Sequence, residues 1–266
     1  MDTDTFIQLR DWFTAYAKLF RDAEGRLHPM QELKLAHSLR VAHNARLIAA
    51  GLAWEPQQVA LAEIVGLLHD TGRFSQFAEF GTFNDAESVN HAERSCAVLE
   101  AERPLDCLPE RERTVVLQAI RLHNRRELPV ELAPDIRPFA ELIRDADKLD
   151  IFHVFDDAIR NNKLDRHPEI SMRSNSRGAP NPVMLEALAC RGTVPYSAIQ
   201  SLADFLLPQL LWMYDINHLS ALRLVLERNV IRSLEQHLPA TPEVTAAVRA
   251  AEAFVHGRIA AGTPKA

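Results

Sequence analysis

The chain has 266 residues, 47% of them apolar and 25% charged, a balance that supports a folded core without disulfide staples. Its net charge of −6 argues against broad binding to duplex nucleic acid, which needs a basic face, but leaves room for a small anionic substrate. Cys96, Cys107 and Cys190 are widely spaced, form no CxxC pair and read as reduced, partly buried thiols. The start Met1-Asp2-Thr3-Asp4 lacks a signal-like basic and apolar run, and no stretch reaches the roughly 18 apolar residues of a membrane span. A soluble, cytoplasmic protein is the expectation.

Helical spacing dominates from the start. Phe6, Leu9, Phe13, Ala17 and Phe20 recur every three or four residues and predict a helix over Thr5–Arg21. After a turn at Gly25–Pro29, a second helix is expected from Met30 to Ala50, its apolar face carrying Leu33, His37, Val41, Ala45 and Ile48. Pro56 opens a third helix that runs through Val59, Ile64 and Leu68 to His69-Asp70 and ends near Gly72. Phe74 to Asn84 reads as an aromatic-rich loop or short helix.

Further helices are expected over Asp85–Ala101, carrying His91, over Glu110–His123, and over Ile136–Asn161, carrying Asp147. The stretch 165–182, rich in Ser, Asn, Arg and Pro, reads as a solvated loop containing Arg166, Arg173 and Arg177. Helices are then expected over Pro182–Arg191, Tyr196–Tyr214, Ile216–His237 and Pro242–Ala260. Trp212-Met213-Tyr214 reads as core packing at a helix junction. Two-residue alternation is hard to find, so the fold class is all-α. The division expected is a helical domain over 1–178, with its core about 31–161, and a C-terminal helical extension over 179–266 packed on it.

The chemistry concentrates at Leu67-Leu68-His69-Asp70-Thr71-Gly72-Arg73. An ionised Asp at the end of an apolar helix is costly unless something pairs with it. A divalent metal provides that pairing, since imidazole nitrogen and carboxylate oxygen suit zinc, manganese or iron. His37 lies on an apolar helix face. Asp147 follows Ile143 by one turn and precedes Ile151 by another, which turns it inward, while Asp145 falls elsewhere.

The ordered set His37, His69-Asp70 and Asp147 resembles the H…HD…D signature of the HD-domain superfamily of helical metal-dependent phosphohydrolases. The resemblance covers roughly Gln31 to Asn161 and implies an HD-type helical bundle with additional C-terminal helices. In binuclear members, histidines placed like His91 and His123 hold a second ion. The resemblance therefore assigns His37, His69, Asp70 and Asp147 to one ion and Asp70, His91 and His123 to the other.

The implied cofactor is a pair of divalent ions (Mn, Fe, Zn, Co or Mg), with Asp70 bridging and a metal-activated water as nucleophile. Arg73 matches the cation of an HD-x-x-[Lys/Arg] pattern and, with Asp70, is read as catalytic. Arg73 and Lys148 are read as substrate contacts. The segments Arg73–Phe77 and Gly81–Asp85 are placed as a substrate wall.

The expected reaction is hydrolysis of a phosphoester in a small substrate, for example a nucleotide. Neither Gly-Tyr-Pro nor an adjacent His-His occurs, which sets the chain apart from cyclic-dinucleotide phosphodiesterases of this superfamily. The alternative is a di-iron oxygenase of the same fold acting on a small polar or phosphonate substrate, since six ligands of this kind serve either chemistry. A non-catalytic binding module is the third reading. His28, His43, His153, His167, His218, His237 and His256 match no motif position and are read as surface or structural residues.

Overall fold

The structure is a computed structural model that describes residues 3–164, 178–190, 192, 194 and 198–262. No strand occurs among the described residues, and the fold is all-α. The helices are α1 Thr3–Lys18, α2 Pro29–Gly51, α3 Pro56–Leu68, α4 Gly72–Phe80, α5 His91–Glu102, α6 Glu110–Leu122, α7 Arg137–Arg160, α8 Pro182–Cys190, α9 Leu202–Asp215, α10 Leu219–Glu227, α11 Val230–His237 and α12 Pro242–Ala261. None of them is long and apolar enough to cross a membrane. By its internal contacts the chain forms two compact units, Met1–Asp150 and Ile151–Ala266, which divide within α7.

In the first unit, α1 buries Leu9, Phe13, Tyr16 and Ala17. Phe13, Tyr16 and Phe20 surround the ring of Phe74 on α4 at centroid distances of 5.7, 6.3 and 5.9 Å, so that α1 fixes the helix that follows the His-Asp pair. The His28 ring caps α2 by accepting the Met30 N–H at 3.2 Å, a structural role for a histidine outside the motif.

Helices α2 and α3 approach closely because Gly66 faces α2. A Cβ there would lie 2.8 Å from Ala42 Cα and 2.9 Å from the Val41 carbonyl oxygen. Gly72 does the same between α4 and α5, where a Cβ would meet Ser95 N at 2.5 Å and His91 O at 2.8 Å. The Gly72 N–H instead donates to Ser95 Oγ at 2.8 Å. These contacts bring α2, α3, α4 and α5 together around the buried end of α3.

Several boundaries differ from the sequence expectation for identifiable reasons. Phe74 to Phe80 is helical, and α4 stops at Gly81, which takes φ 68°. The helix expected from Asp85 is instead a 3₁₀ turn, Asp85–Glu87, followed by α5. Asn90 causes the delay, its side chain accepting the N–H groups of Ala92 and Glu93. Helix α9 starts at Leu202, not Tyr196, because Ser201 and Asp204 form a reciprocal capping box. The single helix expected over Ile216–His237 is two, α10 and α11, separated at Asn229, which takes φ 53°.

In the second unit, Phe152 packs on Trp212 at 5.6 Å and Tyr214 on Phe254 at 4.6 Å, so the Trp212-Met213-Tyr214 stretch is packing, as expected. Asp156 gathers the Arg160 guanidinium at 2.7 Å, His237 Nε2 at 3.0 Å and the Ser233 hydroxyl, which ties α7 to α11. Of the cysteines Cys96 is buried, whereas Cys107 and Cys190 are exposed, contrary to the expectation of three partly buried thiols. All three are free thiols.

Candidate metal centre

Five segments of the first unit deliver the six residues expected to bind metal. His37 comes from the middle of α2, and His69 and Asp70 from the residues just past α3. His91 is the first residue of α5, His123 follows the last residue of α6, and Asp147 sits on α7. All four histidines and Asp70 are buried. Asp147 keeps 22% of its side chain exposed and marks the open side of the cluster.

Asp70 occupies the middle. Its Oδ2 lies 3.6 Å from His37 Nε2 and 3.6 Å from His69 Nε2. Its Oδ1 lies 3.6 Å from His91 Nε2 and 3.8 Å from His123 Nε2. Asp147 Oδ1 stands 3.1 Å from His37 Nε2 and 3.8 Å from His69 Nε2. Three overlapping groups, His37–His69–Asp70, His69–His123–Asp147 and Asp70–His91–His123, each bring three ligand atoms within 4.8 Å of one another, and each could hold an ion.

Each imidazole is aimed by its far nitrogen. His69 Nδ1 donates to the Gly66 carbonyl at 2.8 Å and His123 Nδ1 to the Ile120 carbonyl at 2.7 Å. A carbonyl only accepts, so both rings carry their proton on Nδ1 and turn an Nε2 lone pair inward. His37 Nδ1 is 2.6 Å from Asp150 Oδ2, and His91 Nδ1 is 2.6 Å from Asp85 Oδ2, which places the same tautomer on these rings. Four lone pairs therefore converge on a buried space.

Three buried polar atoms without hydrogen-bond partners face this space. His37 Nε2, His69 Nε2 and Asp70 Oδ1 are buried and accept or donate no hydrogen bond. Buried acceptors without donors are costly, and a divalent ion satisfies them together. The donor set of imidazole nitrogens and carboxylate oxygens suits such an ion.

Charge in the cluster is balanced by cations nearby. Burial alone would raise the Asp70 carboxyl, but Lys34 first, then His69, Arg73 and His91, hold it well below the ordinary value. Lys34 Nζ sits on Asp70 Oδ2 at 2.6 Å. Burial likewise works against ionised Asp147, whose carboxyl the adjacent His37, 3.1 Å away, keeps low. Burial pushes His91 and His123 down to about 4, so both rings are neutral at neutral pH. His69 is lowered by the same burial. His37 runs the other way: burial and Lys34 would depress it, but Asp147 and Asp150 outweigh them and raise it.

Arg73 lies beside the cluster, its Nε 3.5 Å from Asp70 Oδ1. Its Nη1 donates to the Phe83 carbonyl at 2.6 Å, Gln76 Oε1 at 2.8 Å and Asp85 Oδ1 at 3.1 Å. Phe83 stands 5.5 Å from both Lys34 Nζ and the Arg73 guanidinium carbon, which places its ring beside these two cations. Lys148 follows Asp147 on α7 and is half-buried. Arg166, Arg173, Arg177 and His167 lie outside the described residues.

Residues that the motif did not single out complete the site. Asp150 is buried one turn after Asp147, and Arg40 grips it with Nε at 2.6 Å and Nη2 at 3.0 Å. Lys34 lies one turn before His37, and Asp85 reaches His91 from the 3₁₀ turn. The signal available was spacing, since Lys34, Arg40 and Asp150 each fall three residues from a ligand on the same helix. Asp145 departs from the expectation in another way, being buried with 0% exposure, because α7 is covered on more than one side here, with Leu142, Ile143 and Ala146 buried as well.

No curated protein and no solved structure gives a match to the chain. The family model of the HD domain matches residues 35–151, a span that holds all six clustered ligands. Residues 35–151 are thus similar to an HD domain, and the His/Asp cluster within them fits a metal site of that type.

Proposed function

We propose that this protein is a phosphohydrolase that cleaves a phosphoester of a small substrate, for example a nucleotide, with two divalent ions as cofactor. One ion is assigned to His37, His69, Asp70 and Asp147, the other to Asp70, His91 and His123. The observation that supports this reading is the position of Asp70, one oxygen toward each pair of imidazoles. Divalent ions held by these residues would neutralise a phosphate and lower the pKa of a bound water toward neutrality.

The chain's own residues contribute the rest. The Nδ1 hydrogen bonds hold four imidazoles in the tautomer that leaves Nε2 free. Lys34 and Arg73 place two positive charges beside Asp70, where they orient an anionic substrate and offset its charge. The fixed Nη1 of Arg73 holds the guanidinium plane in one orientation, which favours directed contact with a phosphate oxygen. Lys148, which follows Asp147 on α7, is assigned as a further substrate cation.

Elemental analysis of the purified protein, combined with phosphate release from a phosphoester panel, tests the proposal. Two divalent ions per chain and metal-dependent phosphate release are expected. Stoichiometric iron with oxygen consumption and no phosphate release overturns the hydrolase reading in favour of an oxygenase.

A further inference from the structure

The four inward-facing histidines are not backed alike. His69 and His123 rest on main-chain carbonyls, those of Gly66 and Ile120, at 2.8 and 2.7 Å. His37 and His91 rest on carboxylates, Asp150 and Asp85, both at 2.6 Å. Under the ligand assignment proposed above, each ion thus receives one carbonyl-backed and one carboxylate-backed imidazole. A carboxylate on Nδ1 makes the opposite nitrogen a stronger donor and fixes the ring plane.

Each backing carboxylate is itself held by an arginine, and here the two halves differ. Asp150 is 2% exposed, belongs to α7 and receives Arg40 from α2 through both of its oxygens. His37 and Arg40 are one turn apart on α2, and Asp147 and Asp150 one turn apart on α7. The two helices are therefore joined at a ligand and at its support together. Asp85 belongs to a three-residue 3₁₀ turn, and its side chain is 31% exposed. Its Oδ1 takes Arg73 at 3.1 Å and Gln76 at 3.0 Å from the short helix α4, and its Oδ2 takes Asn124 Nδ2 at a longer 3.4 Å.

We propose that Asp150 and Asp85 are positioning residues for two separate metal positions, Asp150 acting through His37 and Asp85 through His91, and that the Asp150-backed position binds its ion more tightly. The inference rests on the two-ion reading above. It adds an order of filling and names the residues outside the ligand set that determine it. The first ion meets four ligands on a support locked between long helices. The second meets three, one of them on a support exposed at its edge.

The test is stepwise metal titration of the full chain with zinc or manganese against a chromophoric chelator, with elemental analysis after dialysis. The wild type is expected to show a tight and a weaker step. Asp150→Asn should weaken the tight step by about 10–100-fold and leave the weaker one near its wild-type value, whereas Asp85→Asn should do the reverse. Arg40→Met leaves the His37–Asp150 bond in place and should weaken the tight step less than Asp150→Asn. It also keeps the proposal testable if Asp150→Asn fails to fold.

A purely structural role predicts a lowered Tm of the ion-free protein with both steps unchanged or equally weakened, and that result overturns the positioning assignment alone. Reversal of the order, with Asp85→Asn acting on the tighter step, also overturns it. A wild type that takes up no divalent ion overturns the two-ion reading itself, so the two failures are told apart in one experiment.

Discussion

His91 Nε2 and His123 Nε2 stand 3.0 Å apart, although each ring has already committed its Nδ1–H to Asp85 Oδ2 or the Ile120 carbonyl. Two neutral rings of this tautomer present two lone pairs to each other, a repulsive contact that only a cation or an added proton relieves. With both rings held down to about 4, a proton does not fill that role at neutral pH. The geometry of the pair suits a cation between the two nitrogens.

The pH dependence of the ion-free protein follows from the same rings. For His91 and His123 the folded value, about 4, lies below the ordinary 6.5, and His69 is also lowered. As pH falls through 6.5 the unfolded chain takes up protons that these buried rings refuse, so stability is lost between about pH 6.5 and pH 4. His37, raised by Asp147 and Asp150, contributes with the opposite sign, stabilising below 6.5 and losing that contribution as pH rises. Three rings against one give a net loss on acidification. Urea midpoints of chelator-treated protein from pH 7.5 to 4 should fall, and a flat profile contradicts the assignment.

Asp70→Ala is expected to release both ions and abolish activity, because its two oxygens serve both halves of the cluster. Elemental analysis checks the metal, and far-UV circular dichroism checks that the helices persist. Full occupancy and activity in this variant refute the bridging role.

Arg73→Lys keeps a positive charge but loses the planar fork that reaches Phe83 O, Gln76 and Asp85. Activity on a phosphoester is expected to fall by about 10–100-fold in kcat/KM, the equivalent of one lost charged hydrogen bond. Steady-state kinetics beside metal analysis separates this from metal loss, since the Asp150-backed ion should remain. Unchanged kcat/KM removes Arg73 from the substrate site.

Asn90→Ala deletes the cap of α5, whose first residue is His91. A loss of about 1 kcal/mol is expected, or roughly 2–4 °C in Tm for a chain of this size. Calorimetry of the ion-free protein measures it, and an unchanged Tm counts against the cap as the reason α5 starts where it does.

Four of the six candidate ligands could be read from the sequence because each breaks a local rule, whereas His91 and His123 entered only through the resemblance to binuclear HD proteins. His37 interrupts an apolar helix face, His69-Asp70 ends one, and Asp147 sits between Ile143 and Ile151. Their supports break no rule. Asp150 and Arg40 look like ordinary charges at helical spacing, and only their pairing across 110 positions of sequence gives the buried Asp150 its partner. Asp85 was expected in the first turn of a helix, where an acid is common. Instead Asn90 captures the helix start and leaves Asp85 free to turn toward His91. The division of Ile216–His237 escaped in the same way, since the apolar period continues across Asn229 and only the backbone reveals the break. The helical class, by contrast, rests on periodicity repeated along the chain and was plain throughout.

Gly72 has a consequence for the metal centre as a whole. Because main chain meets main chain where α4 begins and α5 starts, the separation of Asp70 from His91 is set by peptide geometry and not by the size of any side chain. The site thus contains its own ruler. Core residues elsewhere can drift through substitutions of similar volume without altering the interval between the two halves of the cluster, whereas a single methyl group at position 72 lengthens it.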